Sequence, residues 1–206
     1  MLIFQDDQAS ESFASQYSPV LRRCVQRAWD DWNESEQAAQ MQTTSFRAQF
    51  MNNQIIYWGR RETAELDDIC IDKIHGNLGF VIQNRVFVRP KFARQSYRSS
   101  NFPTKSAIAF HDQSIDLFGG IARLELIYTL NALATSVQDI CLSQRDQNKI
   151  KWLLPLRDAT ESCQGTLVQM PTPERLGTAA DRILKPRKPL HESDQQDQPK
   201  RGDRAV

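Results

Sequence analysis

Apolar and polar positions change period once along this chain, near residue 66. Before that point the spacing is helical. Phe13, Tyr17, Val20 and Leu21, then Cys24, Val25, Ala28, Trp29 and Trp32, recur every three or four residues, which predicts helix from about Glu11 to Gln40. Ser18 followed by Pro19 is a helix-start signal, with the serine as cap and the proline in the first turn. The stretch "TTSFRAQFMNNQIIYWGRRETAEL" predicts a second helix. Ser45 would cap it, Phe46, Phe50, Ile55 and Trp58 would form its apolar stripe, and Gly59 lies near its end.

From "DDICIDKIHGNLGFVIQNRVFVRPK" onward the period is two. Ile69 and Ile71 precede a turn at His75-Gly76-Asn77. Leu78, Phe80, Ile82, Val86 and Val88 then share parity, with Gln83, Arg85, Phe87 and Arg89 on the other face. Either one strand runs through, or Gln83-Asn84 is a second turn. Pro90 marks a strand end or an edge. A short helix is expected from near Pro103, broken by "DLFGG". "ARLELIYTLN" alternates Leu124, Leu126, Tyr128 and Leu130 with Arg123, Glu125 and Thr129. "SVQDICLSQ" and "NKIKWLLPL" predict a hairpin around Arg145-Asp146-Gln147-Asn148. The expected fold is α+β. N-terminal helices (11–62) pack on an antiparallel sheet (67–156) with one inserted helix, in a single domain over 1–156. Residues 157–206, Pro-rich and charged with few large apolar side chains, read as a largely irregular or disordered tail.

Composition changes this picture little. The 206 residues carry a formal net charge of +1, and 40% are hydrophobic. No apolar run approaches the roughly 18–20 residues of a membrane-spanning helix, and "MLIFQDDQ" has no basic region before its apolar trio, so a cytoplasmic protein is expected. Cys24, Cys70, Cys141 and Cys163 are scattered without close pairs, which favours buried thiols over a metal site or a disulfide scaffold.

Local charge matters more. From Lys73 to His111 there are seven basic residues and no acidic one, whereas Met1 to Glu36 carries seven acidic residues and three basic ones. Within "NRVFVRPKFARQSYRSSNFPTK", Arg85, Arg89, Lys91, Arg94, Arg98 and Lys105 are interleaved with Phe87, Phe92, Tyr97 and Phe102. Cations with aromatics suit phosphate and base contacts. They also suit a protein interface, and they fit a solvated basic loop as well. Arg85, Phe87, Arg89, Lys91, Arg94, Tyr97, Arg98 and Lys105 are therefore the candidate partner- or nucleic-acid-binding residues, with Arg89 and Arg94 the pair to test.

Catalytic patterns are weak. His111-Asp112 with His75 and Asp139 would make a metal-phosphohydrolase set only if helices brought them together. Asp68, Asp72 and Lys73 approximate a nuclease metal site, but Asp72 and Lys73 point to opposite faces of a strand. No GxSxG, Walker A or GxGxxG pattern is present, and His191 falls in the tail. No cofactor is expected, and an enzyme is less expected than a binding protein.

The run "FVRPKFARQSYRSSNFPTKSAIAF", followed by "LELIYTLN", resembles small uncharacterised bacterial proteins that carry a basic strand, an Asn-x-Pro-Thr-Lys helix start and a later strand with a tyrosine. The resemblance covers about Ile69 to Leu156. It implies a toxin–antitoxin or phage-defence type gene pair, with a cognate protein encoded nearby as partner, and it implies no catalytic residue. The alternative reading is a regulator or toxin acting on nucleic acid through residues 85–105.

Overall fold

A computed structural model describes residues 7–41, 43–99, 104–112, 114, 116 and 119–157. The tail expected over 157–206 lies, apart from Arg157, outside the described residues, as do Cys163, His191 and Phe102. In chain order the elements are α1 (Asp7–Glu34), a 3-10 turn (Ala38–Gln40), α2 (Thr44–Glu62), β1 (Ile69–Ile74), β2 (Asn77–Ile82), β3 (Val86–Phe92), α3 (Lys105–His111), β4 (Ala122–Leu130), β5 (Val137–Asp146) and β6 (Lys149–Pro155). The six strands form one sheet in sequential order. This is the expected α+β fold.

The helical hairpin of α1 and α2 lies on one face of the sheet. Tyr17, Leu21, Cys24, Val25 and Ala28 of α1 and Met51 and Ile55 of α2 pack on Phe80, Ile82, Val86, Val88, Leu124, Leu126, Tyr128, Leu142, Trp152 and Leu154. The alternation read from the sequence therefore selects the right face on β2, β3, β4 and β6. Burying each such side chain contributes about 1.5–3 kcal/mol.

Three details differ from the sequence reading. First, α1 runs through Pro19 rather than starting there. Pro19 is exposed between buried Ser18 and Val20. Its missing N–H thus frees a carbonyl on the solvent side, where water can satisfy it. The hydroxyl of Ser18 does not cap; it donates to the Arg157 carbonyl at 2.9 Å. Second, the N-cap position of α2 is Thr43, two residues before Ser45, and its buried face is Met51, Ile55, Ile56 and Gly59. Phe46 and Phe50 turn sideways to stack on Trp32 of α1. Third, the sheet is mixed. β3 and β4 are parallel, from Val86↔Ala122 to Phe92↔Tyr128, while the other four pairings are antiparallel. Parallel neighbours need a long crossover, and the inserted α3 belongs to it.

The turns are those the residues favour. His75 and Gly76 close β1–β2 at positive φ, and Gln83 and Asn84 do the same for β2–β3. Of the two readings left open, the second turn is the one observed. Gln147, also at positive φ, turns β5 into β6.

Candidate functional site

The second face of the sheet is where the polar residues of β3, β4 and β5 meet. Alternation sends Phe87, Arg89 and Lys91 to the side away from α1 and α2, beside Arg123, Glu125 and Thr129 of β4. α3 and the residues after β3 cover this face. Phe110 of α3 packs on Phe87 and Val81 to form a small apolar cluster, with the two phenyl rings edge to face at 6.1 Å. Thr104 caps α3, accepting from the Ala107 N–H, and the helix begins at Lys105, near the expected Pro103.

Glu125 is the centre of this face. It is register partner to Arg89 on β3 and to Ser143 on β5, and it is 1% exposed. Arg89 donates from Nη2 to Glu125 Oε1 at 3.1 Å and from Nη1 to Asn77 Oδ1 at 2.9 Å. Its guanidinium lies 3.9 Å from the Phe110 ring centroid. The Ser99 hydroxyl lies 2.9 and 2.8 Å from the two Glu125 oxygens. Arg145 of β5 approaches Glu125 Oε2 at 3.6 Å and donates to Ser99 Oγ at 2.8 Å. His111, at the end of α3, sits 3.5 Å from both Glu125 Oε1 and Arg89 Nη2.

The electrostatics follow from burial and crowded cations. Burial alone would raise the Glu125 carboxyl, but His111, Arg89 and Arg145 hold it below the usual range. Burial pushes His111 down to about 4, and Arg145, Arg89 and Lys91 reinforce this against the pull of Glu125. Lys91 is lowered to about 8, by burial first and then by Arg89. Cluster-side Arg89 and Arg145 are lowered by desolvation as well.

The candidate residues read from the sequence therefore divide. Phe87 is fully buried and Arg89 is 8% exposed. These two are not surface residues, because β3 is an interior strand covered on both faces. Arg85, Arg94, Arg98 and Lys105 are exposed, and Lys91 and Tyr97 are half-buried. The loop carrying Arg94 and Arg98 is closed at its base by the Ala93↔Ser99 bridge. Tyr97 anchors it by donating to Asp139 at 3.0 Å.

The enzyme-like sets are not assembled. Among the described residues no three of His, Cys, Asp and Glu converge in a metal-holding group. His75 occupies a turn, and Asp139 accepts from Tyr97 and Thr129. Asp68 accepts from Gln16 and Tyr17 on α1, while Asp72 and Lys73 are exposed on the edge strand β1. The sequence reading missed Ser99, Glu125 and Arg145. Glu125 and Arg145 sit at outward-parity strand positions, and nothing in the sequence says that this face is covered.

A second feature lies on the helix side, where the carboxyl ends of parallel β3 and β4 meet the N-terminus of α2. Two adjoining depressions of ≈ 380 and ≈ 310 Å³ share Phe92 and Arg94. The first is also lined by Arg47, Ser96 and Asn131, the second by Thr44, Ser45, Gln49, Asn52 and Lys91. Neither has an acidic lining residue.

Neither a protein-family model, nor a curated protein, nor a solved structure matches this chain. Among the described residues no helix is long and apolar enough to cross a membrane.

Proposed function

We propose that this chain is a non-catalytic binding protein that takes an acidic segment of a partner protein into the groove between α2 and the carboxyl ends of β3 and β4. The observation that carries the reading is the composition of that groove: Arg47 and Arg94 with hydroxyl and amide side chains, and no carboxylate. Carboxyl ends of parallel strands are common ligand positions because side chains and loops converge there. Arg beside aromatic Phe92 suits a protein interface. The gene-pair setting, with a cognate protein encoded nearby in a toxin–antitoxin or phage-defence type module, is part of the proposal and comes from the sequence resemblance.

The non-catalytic part rests on how Glu125 is used. Its oxygens are engaged by Ser99 and Arg89, and it is out of solvent. A general base must reach a substrate proton, within about 2.6–3.2 Å or through one water.

The test is affinity capture of the neighbouring gene product by the wild-type chain, by Arg94→Glu and by Arg47→Glu. Capture by wild type and loss in both variants is the expected result. Absence of capture by the wild type, or equal capture by all three, overturns the reading.

Nucleic acid is the second reading, favoured by the exposed cations Arg85, Arg94, Arg98 and Lys105. Against a continuous polyanion stands the acidic end of α1, where Asp30, Asp31, Glu34 and Glu36 lead into α2. A salt-dependent shift of a labelled duplex or RNA, with log affinity falling linearly in log salt, would promote this reading over the first.

A further inference from the structure

We infer that the acidic segment taken by the groove carries a large apolar side chain beside its carboxylate, and that the first depression, over Phe92 and Leu130, receives it. This rests on the groove reading above and specifies what the groove selects.

The two depressions differ in chemistry. The first, of ≈ 380 Å³, is walled by Phe92 and Ala93 at the end of β3 and by Leu130, Ala132 and Ala134 at the end of β4. Phe92 and Leu130 also pack against the main core, so they make a fixed apolar floor. The second, of ≈ 310 Å³, presents the hydroxyls and amides of Thr44, Ser45, Gln49 and Asn52 on α2. A carboxylate gains nothing from apolar walls, because leaving water for them costs it free energy. A leucine, methionine or phenylalanine side chain gains by the same transfer.

Charge stands beside the apolar floor. Arg47 reaches the first depression from α2 and Arg94 from the loop after β3, and Arg94 lines the second depression as well. Among the described residues neither arginine has a carboxylate partner. A segment seated over Phe92 therefore meets a cation from the helix and another from the loop, and arginine with carboxylate makes the stronger, charge-assisted kind of hydrogen bond. An apolar anchor flanked by arginine is the usual composition of the few residues that dominate a protein interface.

Both walls are held in place. In the β4–β5 turn the Asn131 side chain accepts from the Thr135 N–H at 2.8 Å and donates to its hydroxyl at 2.9 Å. The Ala134 N–H donates to the Asn131 carbonyl at 2.8 Å. Across from it, the Tyr97 N–H donates to the Arg94 carbonyl at 2.8 Å within the loop closed by the Ala93↔Ser99 bridge. Walls fixed before binding lose little freedom when a side chain enters, and a largely pre-formed apolar hollow with a few placed polar groups is the common form of a binding site.

The experiment is fluorescence polarisation of the full chain with two labelled peptides of equal charge. Both are hexaglutamate with one central glutamate replaced, by leucine in one and by glutamine in the other. Arg94→Gln and Ala132→Trp are measured in parallel, with circular dichroism melts to check folding. Ala132 is exposed in the turn, so a bulky side chain there fills the first depression without entering the core. The leucine peptide should bind about tenfold more tightly than the glutamine peptide, the order expected for burying one leucine. Arg94→Gln should weaken both peptides and keep their ratio. Ala132→Trp should abolish the ratio and keep the affinity for the glutamine peptide. Equal binding of the two peptides by the wild type overturns this inference and leaves the acidic-segment reading standing. Binding of neither overturns both. A leucine preference that persists in Ala132→Trp overturns the placement over Phe92 and Leu130.

Discussion

Arg89 on β3 and Glu125 on β4 are register partners in the parallel pair of the sheet, joined at 3.1 Å between Nη2 and Oε1 with both side chains out of water. An intact buried pair of this kind contributes little against well-packed apolar residues, but breaking it strands a charge. Glu125→Gln should therefore destabilise by about 3–5 kcal/mol in urea unfolding. The double variant Arg89→Met, Glu125→Leu should lose less than Glu125→Gln alone. A loss under about 1 kcal/mol in the single variant would mean the pair is solvated after all.

The two arginines named together by the sequence should behave differently. Arg89→Glu places a second carboxylate beside Glu125 and is expected to unfold the chain or lower its midpoint severely. Arg94→Glu lies on an exposed loop and should stay within about 0.5 kcal/mol of wild type. Circular dichroism melts of the two single variants decide this.

Acid stability should follow His111. Its folded pKa of about 4 lies below the ordinary 6.5, so between those values the unfolded chain binds the extra proton. Stability then rises with pH from about 4 to 6.5 and is lost on acidification through that window. The groups facing His111 are Glu125, Arg145, Arg89 and Lys91. His111→Gln should flatten the slope between pH 4 and 6.5 in urea midpoints. Glu125, also depressed, adds a loss at lower pH that this variant retains. An unchanged slope would remove His111 from the account.

Gly79 is required by packing rather than by its backbone angles. A Cβ there would lie 2.5 Å from the Val88 carbonyl oxygen and 2.9 Å from the Phe87 ring. Gly79→Ala must push β2 off β3, and such overpacking typically costs about 1–3 kcal/mol. A wild-type midpoint for this variant would contradict the close approach of the two strands.

Much of the architecture was legible because strand alternation and turn chemistry are local. Phe80, Val88, Leu124, Leu126, Trp152 and Leu154 each face the core that their parity assigned. Gln83-Asn84 was readable as a turn because asparagine tolerates positive φ. Pro19 misled because a helix-start signal is a local statistic. The packing of Tyr17, Val20 and Leu21 on the sheet carries the helix through it.

By itself, then, the sequence determined the class of the fold, the order of its elements and which face of each strand meets the helices, since these depend on periods of two and 3.6 within short windows. Only the tertiary structure decided that β3 lies parallel to β4 and that the opposite face of the sheet is covered. Those two facts turn Arg89 from a surface cation into the partner of a buried carboxylate, and they bring Ser99, His111 and Arg145 to the same point. Burial of a polar position depends on what is packed over it, and that is a contact between residues distant in the chain.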